Sequence, residues 1–212
     1  MNSYAMKSLW RLFFHLLFVG LFSLNFSSNG FAQSQQEVSN YEIVVLGLKI
    51  GKLKASKTAG LDTIQYSVES EVKFWFFGDV ELQFLTRSSF KQGMVSRTYS
   101  HSKTNRGNFV SKVNWKDNAY QVNANSYKYT DKKAVSGPLS WCSSKLFFQE
   151  PTGQEIFISE VYGVTAPIRK TGPGEYTVSV EGNTNRYYYR QGKLVKIVVD
   201  NPIKNYQVRL AN

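Results

Sequence analysis

The chain has a single cysteine, Cys142, in 212 residues. No intramolecular disulfide can form, so packing alone must hold the fold. Histidine is almost as scarce, with only His15 and His101. A Ser or Cys nucleophile needs a base, normally imidazole, so any dyad or triad outside the N-terminal segment would have to assemble around His101. Neither His101 nor Cys142 lies in a nucleophile-elbow or papain-like signature. We expect His101 exposed at a loop edge, and Cys142 buried and inert between Trp141 and Leu146-Phe147-Phe148. One Cys and one His cannot build a structural zinc site, and no acidic loop has calcium-binding spacing. Glu69, Glu71 and Glu81 share the polar parity of adjacent strands, as solvated hairpin charges do, rather than facing one another as a glycosidase pair. The glycines Gly47 and Gly51 lack the Gly-Lys-Ser/Thr ending and the following helix of a phosphate loop. The expectation is a non-enzymatic protein with no cofactor and no metal.

The chain also lacks an apolar run of the roughly 20 residues needed to span a bilayer as a helix. Its longest apolar stretch, Leu12 to Phe26, follows Lys7 and Arg11 and precedes the small residues of Gly30-Phe31-Ala32. That order reads as a secretory signal peptide over residues 1–32, and no stop-transfer flank follows it. We therefore expect a periplasmic or secreted protein without a permanent membrane span. Residues 33–40 (QSQQEVSN) are polar and read as a flexible leader, which leaves residues 41–212 as one domain.

What the chain does have is alternation. Ile64, Tyr66, Val68, Val72, Phe74 and Phe76 share one parity, with Gln65, Ser67, Glu69, Glu71 and Lys73 on the other. This is a long strand with one buried and one wet face. Gly78-Asp79 then suits a type II′ hairpin, so the segment beginning Val80, Leu82, Phe84 should pair back antiparallel. Turn-rich punctuation at Lys91-Gln92-Gly93, Lys116-Asp117-Asn118, Gly182-Asn183 and Gln191-Gly192 separates about a dozen short strands at hairpin spacing. Only Leu139 to Phe148, after Gly137-Pro138, breaks the rhythm and can hold a helical turn. The expected fold is all-β, an antiparallel meander curled into an open or closed barrel-like sheet with at most one short helix. Its interior is either filled or hollow, and residues 134–151 are a lid, a plug or a plain connection.

Charge and aromatics carry the functional hints. Without residues 1–32, 24 basic side chains face 15 acidic ones, scattered from Lys49 to Arg209 with no run longer than the pairs Lys132-Lys133 and Arg169-Lys170. A generally soluble surface explains this; attraction to an anionic envelope component, lipid head groups or acidic polysaccharide, is the functional alternative, and nucleic acid is disfavoured. Aromatic residues make up 15% of the chain, mostly as β-sheet packing chemistry. Phe74-Trp75-Phe76-Phe77 at a hairpin tip, together with Phe84, Trp115 and Trp141, are the candidate contacts for an apolar ligand or a protein partner. Tyr187-Tyr188-Tyr189 must place one ring on the face opposite the other two.

Three segments carry a resemblance: Tyr41-x-Ile43-x-x-Leu46-Gly47-x-x-x-Gly51, Leu146-Phe147-Phe148-Gln149-Glu150-Pro151-Thr152-Gly153, and Gly182-Asn183-Thr184-Asn185-Arg186-Tyr187-Tyr188-Tyr189. They resemble landmarks of uncharacterised exported domains of unknown function common in Bacteroidetes-type bacteria. The resemblance spans most of residues 33–212, implies a curved antiparallel β domain of the cell envelope and carries over no catalytic residue. In shape the expected sheet is loosely similar to lipoprotein-carrier half-barrels, which hold acyl chains in an apolar concavity. Two functions follow: an envelope binding protein enclosing a lipid or other apolar ligand, or an interaction protein that docks a partner protein or glycan through exposed aromatics.

Overall fold

The computed structural model describes residues 35–74, 80–105, 107–126, 129–152, 155–200 and 205–211. The expected signal peptide lies outside them. Eight long strands follow one another as β1 (Gln35–Val45), β2 (Leu48–Ala59), β3 (Thr63–Phe74), β4 (Val80–Lys91), β5 (Met94–Thr104), β6 (Gly107–Lys116), β7 (Ala119–Ser126) and β8 (Tyr129–Ser136). After a connecting segment come β9 (Ile156–Ile158), β10 (Thr165–Pro167), β11 (Arg169–Gly172), β12 (Glu175–Val180), β13 (Asn183–Arg190), β14 (Lys193–Asp200) and β15 (Tyr206–Leu210). Every sheet neighbour is antiparallel. Thirteen strands form one sheet in the order β11-β12-β13-β14-β15-β1-β2-β3-β4-β5-β6-β7-β8, and β9 pairs with β10 apart from it. The fold is all-β, as the alternation implied, and the sheet is a barrel-like meander that does not close. The β1–β15 pairing, Tyr41 opposite Leu210, joins the two ends of the meander.

Hairpin chemistry sets the register. Leu46-Gly47, Gln92-Gly93, Asp117-Asn118, Glu181-Gly182 and Gln191-Gly192 each place two successive residues at positive φ. That is the backbone of a type I′ turn, whose twist matches that of the strands it joins. The β3–β4 pairing holds as expected, with Phe74 opposite Val80; the Gly78-Asp79 turn between them lies outside the described residues. Gly51 sits where β2 shifts register against β1. A Cβ there would collide with the Glu71 carbonyl oxygen of β3, so the close strand approach requires glycine.

Two expectations need correction. Gln35 to Asn40 are not a free leader: they extend β1 and pair with β2 from Ala59 to Lys54. Their side chains stay largely exposed, so backbone pairing rather than burial makes this strand, and alternation could not reveal it. His101 is not at a loop edge either, but within β5, half-buried on the outer face.

Residues 137–152 and 155–168 run between the β8 edge and the β11 edge across the inner face of the sheet. Leu139 meets β5 and β7, Ser144 meets β4, Phe148 packs on Tyr66 of β3, Phe147 on Tyr41 of β1, and Leu146 lies beneath Tyr189 of β13. Trp141, Cys142, Leu146, Phe157, Ile158, Ala166 and Ile168 of this segment are all buried. It acts as a plug. Among the described residues helical structure is limited to a 3-10 turn at Lys145–Phe147, which falls where a helical turn was expected.

The open sheet protects its two edges. Edge strands invite pairing with other chains and are commonly blunted by Lys and Pro. The two basic pairs of the sequence fall on those edges, Lys132-Lys133 on β8 and Arg169-Lys170 on β11, with Pro167 and Pro173 flanking the latter. Among the described residues no helix is long and apolar enough to cross a membrane.

Candidate functional site

The inner face of the sheet serves packing rather than display. Tyr120 accepts a hydrogen bond from the Leu139 N–H (2.9 Å) and donates to the Val95 carbonyl (3.0 Å). Tyr189 donates to the Leu146 carbonyl (2.6 Å), and Tyr176 to Glu150 Oε1 (2.9 Å). These three tyrosines therefore clip the plug to the sheet, each ring burying apolar area while its hydroxyl satisfies a polar group. Burial pushes the Tyr41 and Tyr66 hydroxyls up to about 12. Of the tyrosine triplet, Tyr187 and Tyr189 are buried inward, and Tyr188 faces out beneath the Lys196 ammonium, 4.1 Å from its ring centre.

A buried carboxylate latches the plug. Glu160, 1% exposed, accepts at Oε1 from the Ser144 N–H (2.8 Å), the Ser144 hydroxyl (2.8 Å) and the Ser88 hydroxyl of β4 (3.1 Å), and at Oε2 from the Ser143 N–H (2.9 Å). Cys142 Sγ lies 3.3 Å from Ser144 Oγ in the same knot, fully buried, and burial pushes its thiol well up. His101 is on the outer face and Cys142 on the inner side, so the two cannot act together.

The inner positions of β4 to β6 depart from apolar alternation. Thr86, Ser88, Thr98, Ser100 and Ser111 are all buried there. Small polar side chains suit this place because the backbone of residues 159–163 lies close by: the Ser111 hydroxyl donates to the Val161 carbonyl at 2.6 Å. Gly163 sits at φ +62, and a Cβ on it would strike the Val122 side chain.

The aromatic candidates do not converge. Phe84 has the inner parity of β4 and is half-buried; Trp115 packs at a tilt against Tyr120, ring centres 4.7 Å apart, near the β8 edge; Trp141 is buried in the plug with the Lys145 ammonium 4.3 Å from its ring centre. Trp75, Phe76, Phe77 and the side chain of Phe74 lie outside the described residues.

A different group of residues does converge, on the outer face of β4–β8. Arg87, Arg97, Lys103, Lys112 and Lys132 are all exposed there. None has a carboxylate within ion-pair distance among the described residues. The lone acid on β5–β8, Asp131, pairs with Lys133 at 2.8 Å, and both have the inner parity, opposite Ala124 and Val122. Elsewhere on the outer face acids share the surface with bases: Glu42 pairs with Lys49, Glu71 with Lys52 and Lys73, and Asp200 with Arg186, beside Lys54, Arg190, Lys193 and Arg209, which are exposed outside these pairs. The cationic half thus has an unneutralised field, interleaved with Tyr99, His101, Asn114, Gln121 and Asn123. Scanning for runs of basic residues missed it. The usable signal was the scarcity of acids: residues 82–130 hold eight Lys or Arg and one acid, Asp117.

An unclosed antiparallel β meander, plugged by its own connecting segment and basic on half of its outer face, defines a barrel-like β domain. The chain belongs to the DUF6134 family, a domain of unknown function whose model matches residues 41–211. Among solved structures it is similar to a beta-barrel-like protein of domain of unknown function DUF1849 from Brucella abortus. That similarity has 9% identity and a TM-score of 0.48, covering 84% of this chain and 96% of the other. No curated protein matches the chain.

Proposed function

We propose that this chain is an exported, non-enzymatic binding protein of the cell envelope that works with its outer surface, drawn to an anionic envelope component by the cationic face of β4–β8. The observation that carries this reading is the outer face of β4–β8, where Arg87, Arg97, Lys103, Lys112 and Lys132 are exposed with no carboxylate within ion-pair distance among the described residues, and the lone acid of β5–β8, Asp131, has the inner parity. Unpaired cations on one face raise the local concentration of anions and speed their encounter. Weighing against a carrier of apolar ligands is the plug: Trp141, Leu146, Phe157, Ile158 and Ile168 occupy the concave side, where an acyl chain would otherwise lie. The export reading rests on the signal-peptide pattern of residues 1–32.

Co-sedimentation with envelope fragments from the source cells tests this. The protein should pellet with the fragments at low salt and be released near 1 M salt, where the screening length falls to about 3 Å. Absence of pelleting at low salt, or retention indifferent to salt, would contradict it.

A further inference from the structure

The cations of the outer face are in register. Strand pairing places Arg87 opposite Tyr99, Tyr99 opposite Lys112, Lys112 opposite Asn123, and Asn123 opposite Lys132. These five residues form one line across β4 to β8, perpendicular to the strands, with a cation on every second strand. Adjacent strands lie about 4.8 Å apart, so the cations recur roughly every 10 Å along the line. A second line runs beside it, with Ser89, Arg97, Asn114 and Gln121 in successive register.

We propose that this face binds a linear acidic polysaccharide carrying one anionic group per disaccharide, laid across the strands along the Arg87–Lys112–Lys132 line. The proposal rests on the reading of the outer face as an anion-binding surface and names the ligand that surface takes. A sugar polymer with a charge on alternate residues presents anions at about the spacing of this line. Its hydroxyl groups meet the Tyr99 hydroxyl and the Asn123, Asn114 and Gln121 amides, which both donate and accept. Lipid fits less well. A membrane-binding face adds apolar side chains that enter the acyl boundary, and among the described residues the exposed large apolar ones, Val38, Leu46, Leu48, Leu61 and Ile156, all lie off β4–β8. Single-stranded nucleic acid is held by stacking platforms along a basic groove, whereas this line has one aromatic ring, the half-buried Tyr99.

The test is titration calorimetry of residues 33–212 with hyaluronan oligosaccharides, which alternate uronate and neutral sugar, beside phosphatidylglycerol vesicles, a single-stranded oligonucleotide and neutral dextran. Two triple variants accompany it: Arg87→Gln/Lys112→Gln/Lys132→Gln on the line, and Lys54→Gln/Arg190→Gln/Lys193→Gln elsewhere on the same outer face. All six positions are strand-surface cations, and circular dichroism checks that both variants fold. Hyaluronan should bind and dextran should not, and the on-line variant should lose on the order of 10- to 100-fold in affinity. The off-line variant should change several-fold less. Equal losses in the two variants would overturn the line while leaving general anion attraction intact. Preference for vesicles or oligonucleotide over hyaluronan would overturn the polysaccharide and leave the anion-binding face. Failure of every anionic probe to bind would sink the line and the proposed function together.

Discussion

Truncating the buried latch, Glu160→Ala, should be among the most destabilising changes available in this protein. The carboxylate accepts from two backbone N–H groups, of Ser143 and Ser144, and from two hydroxyls, of Ser144 and Ser88. Without it the hydroxyls still have each other, since Ser144 Oγ lies 3.0 Å from Ser88 Oγ. The two amides have nothing. A buried donor left unsatisfied costs about 1–3 kcal/mol, so the pair costs roughly 2–6 kcal/mol, and the vacated volume adds to it. A total near 4 kcal/mol is a large share of the 5–15 kcal/mol typical of a domain. Urea unfolding read by tryptophan fluorescence measures it; with an m-value of about 2 kcal/mol/M the midpoint should drop by about 2 M. Glu160→Gln should cost less, because its carbonyl can keep the three Oε1 bonds and only the Ser143 N–H faces a donor. Ser88→Ala should cost least, about 1 kcal/mol, since Glu160 retains its other donors. Were Glu160→Ala within about 1 kcal/mol of the parent, the plug would not be held by this carboxylate.

Three further outcomes follow from the inner face. Tyr41 and Tyr66 have hydroxyls raised by burial from 10 to about 12, so above pH 10 the unfolded chain releases protons that the folded one retains. Stability should therefore fall as pH rises, beginning near pH 9 where the unfolded Cys142 thiol ionises and steepening between pH 10 and 12; a urea midpoint unchanged between pH 10 and 12 would contradict the burial of these rings. Cys142, fully buried with its thiol shifted upward, should react with a thiol reagent only after denaturation, and rapid labelling of the folded protein would show that the plug opens. Gly163→Ala drives a methyl into Val122 at a left-handed backbone position and should cost about 2–4 kcal/mol by urea melts; a neutral result would mean that the 159–163 backbone is not seated on β7.

The hairpins were legible because their physics is local. Alternation in Thr63–Phe74 and paired turn residues such as Gln92-Gly93 depend on neighbours in sequence, and both lie where expected. The plug was not legible as a plug. Trp141, Leu146, Phe157 and Ile158 are buried by an irregular path across many strands, which leaves no period in the sequence. The same path hid part of the inner face: Thr86, Ser88, Thr98, Ser100 and Ser111 look like surface residues but are buried, Ser88 against Ser144 and Glu160 and Ser111 against the Val161 carbonyl. β11, four residues of Arg169–Gly172 at the open edge, carries no apolar alternation at all. The cationic face needed register. Arg87, Lys112 and Lys132 are far apart in sequence and read as scatter until strand pairing aligns them. The candidate aromatics looked exposed because a run such as Phe74 to Phe77 puts rings on both parities, whereas Trp115 and Trp141 are tied into packing around the plug.

The central claim is that the interior of this sheet belongs to the chain itself and that binding takes place outside it. Native mass spectrometry of the protein purified from its own envelope, followed by solvent extraction and lipid analysis, tests this most directly. The expected result is the bare polypeptide mass with no acyl species in the extract. A stoichiometric lipid that survives salt washing and leaves only on denaturation would place a ligand where the plug is described and contradict the account.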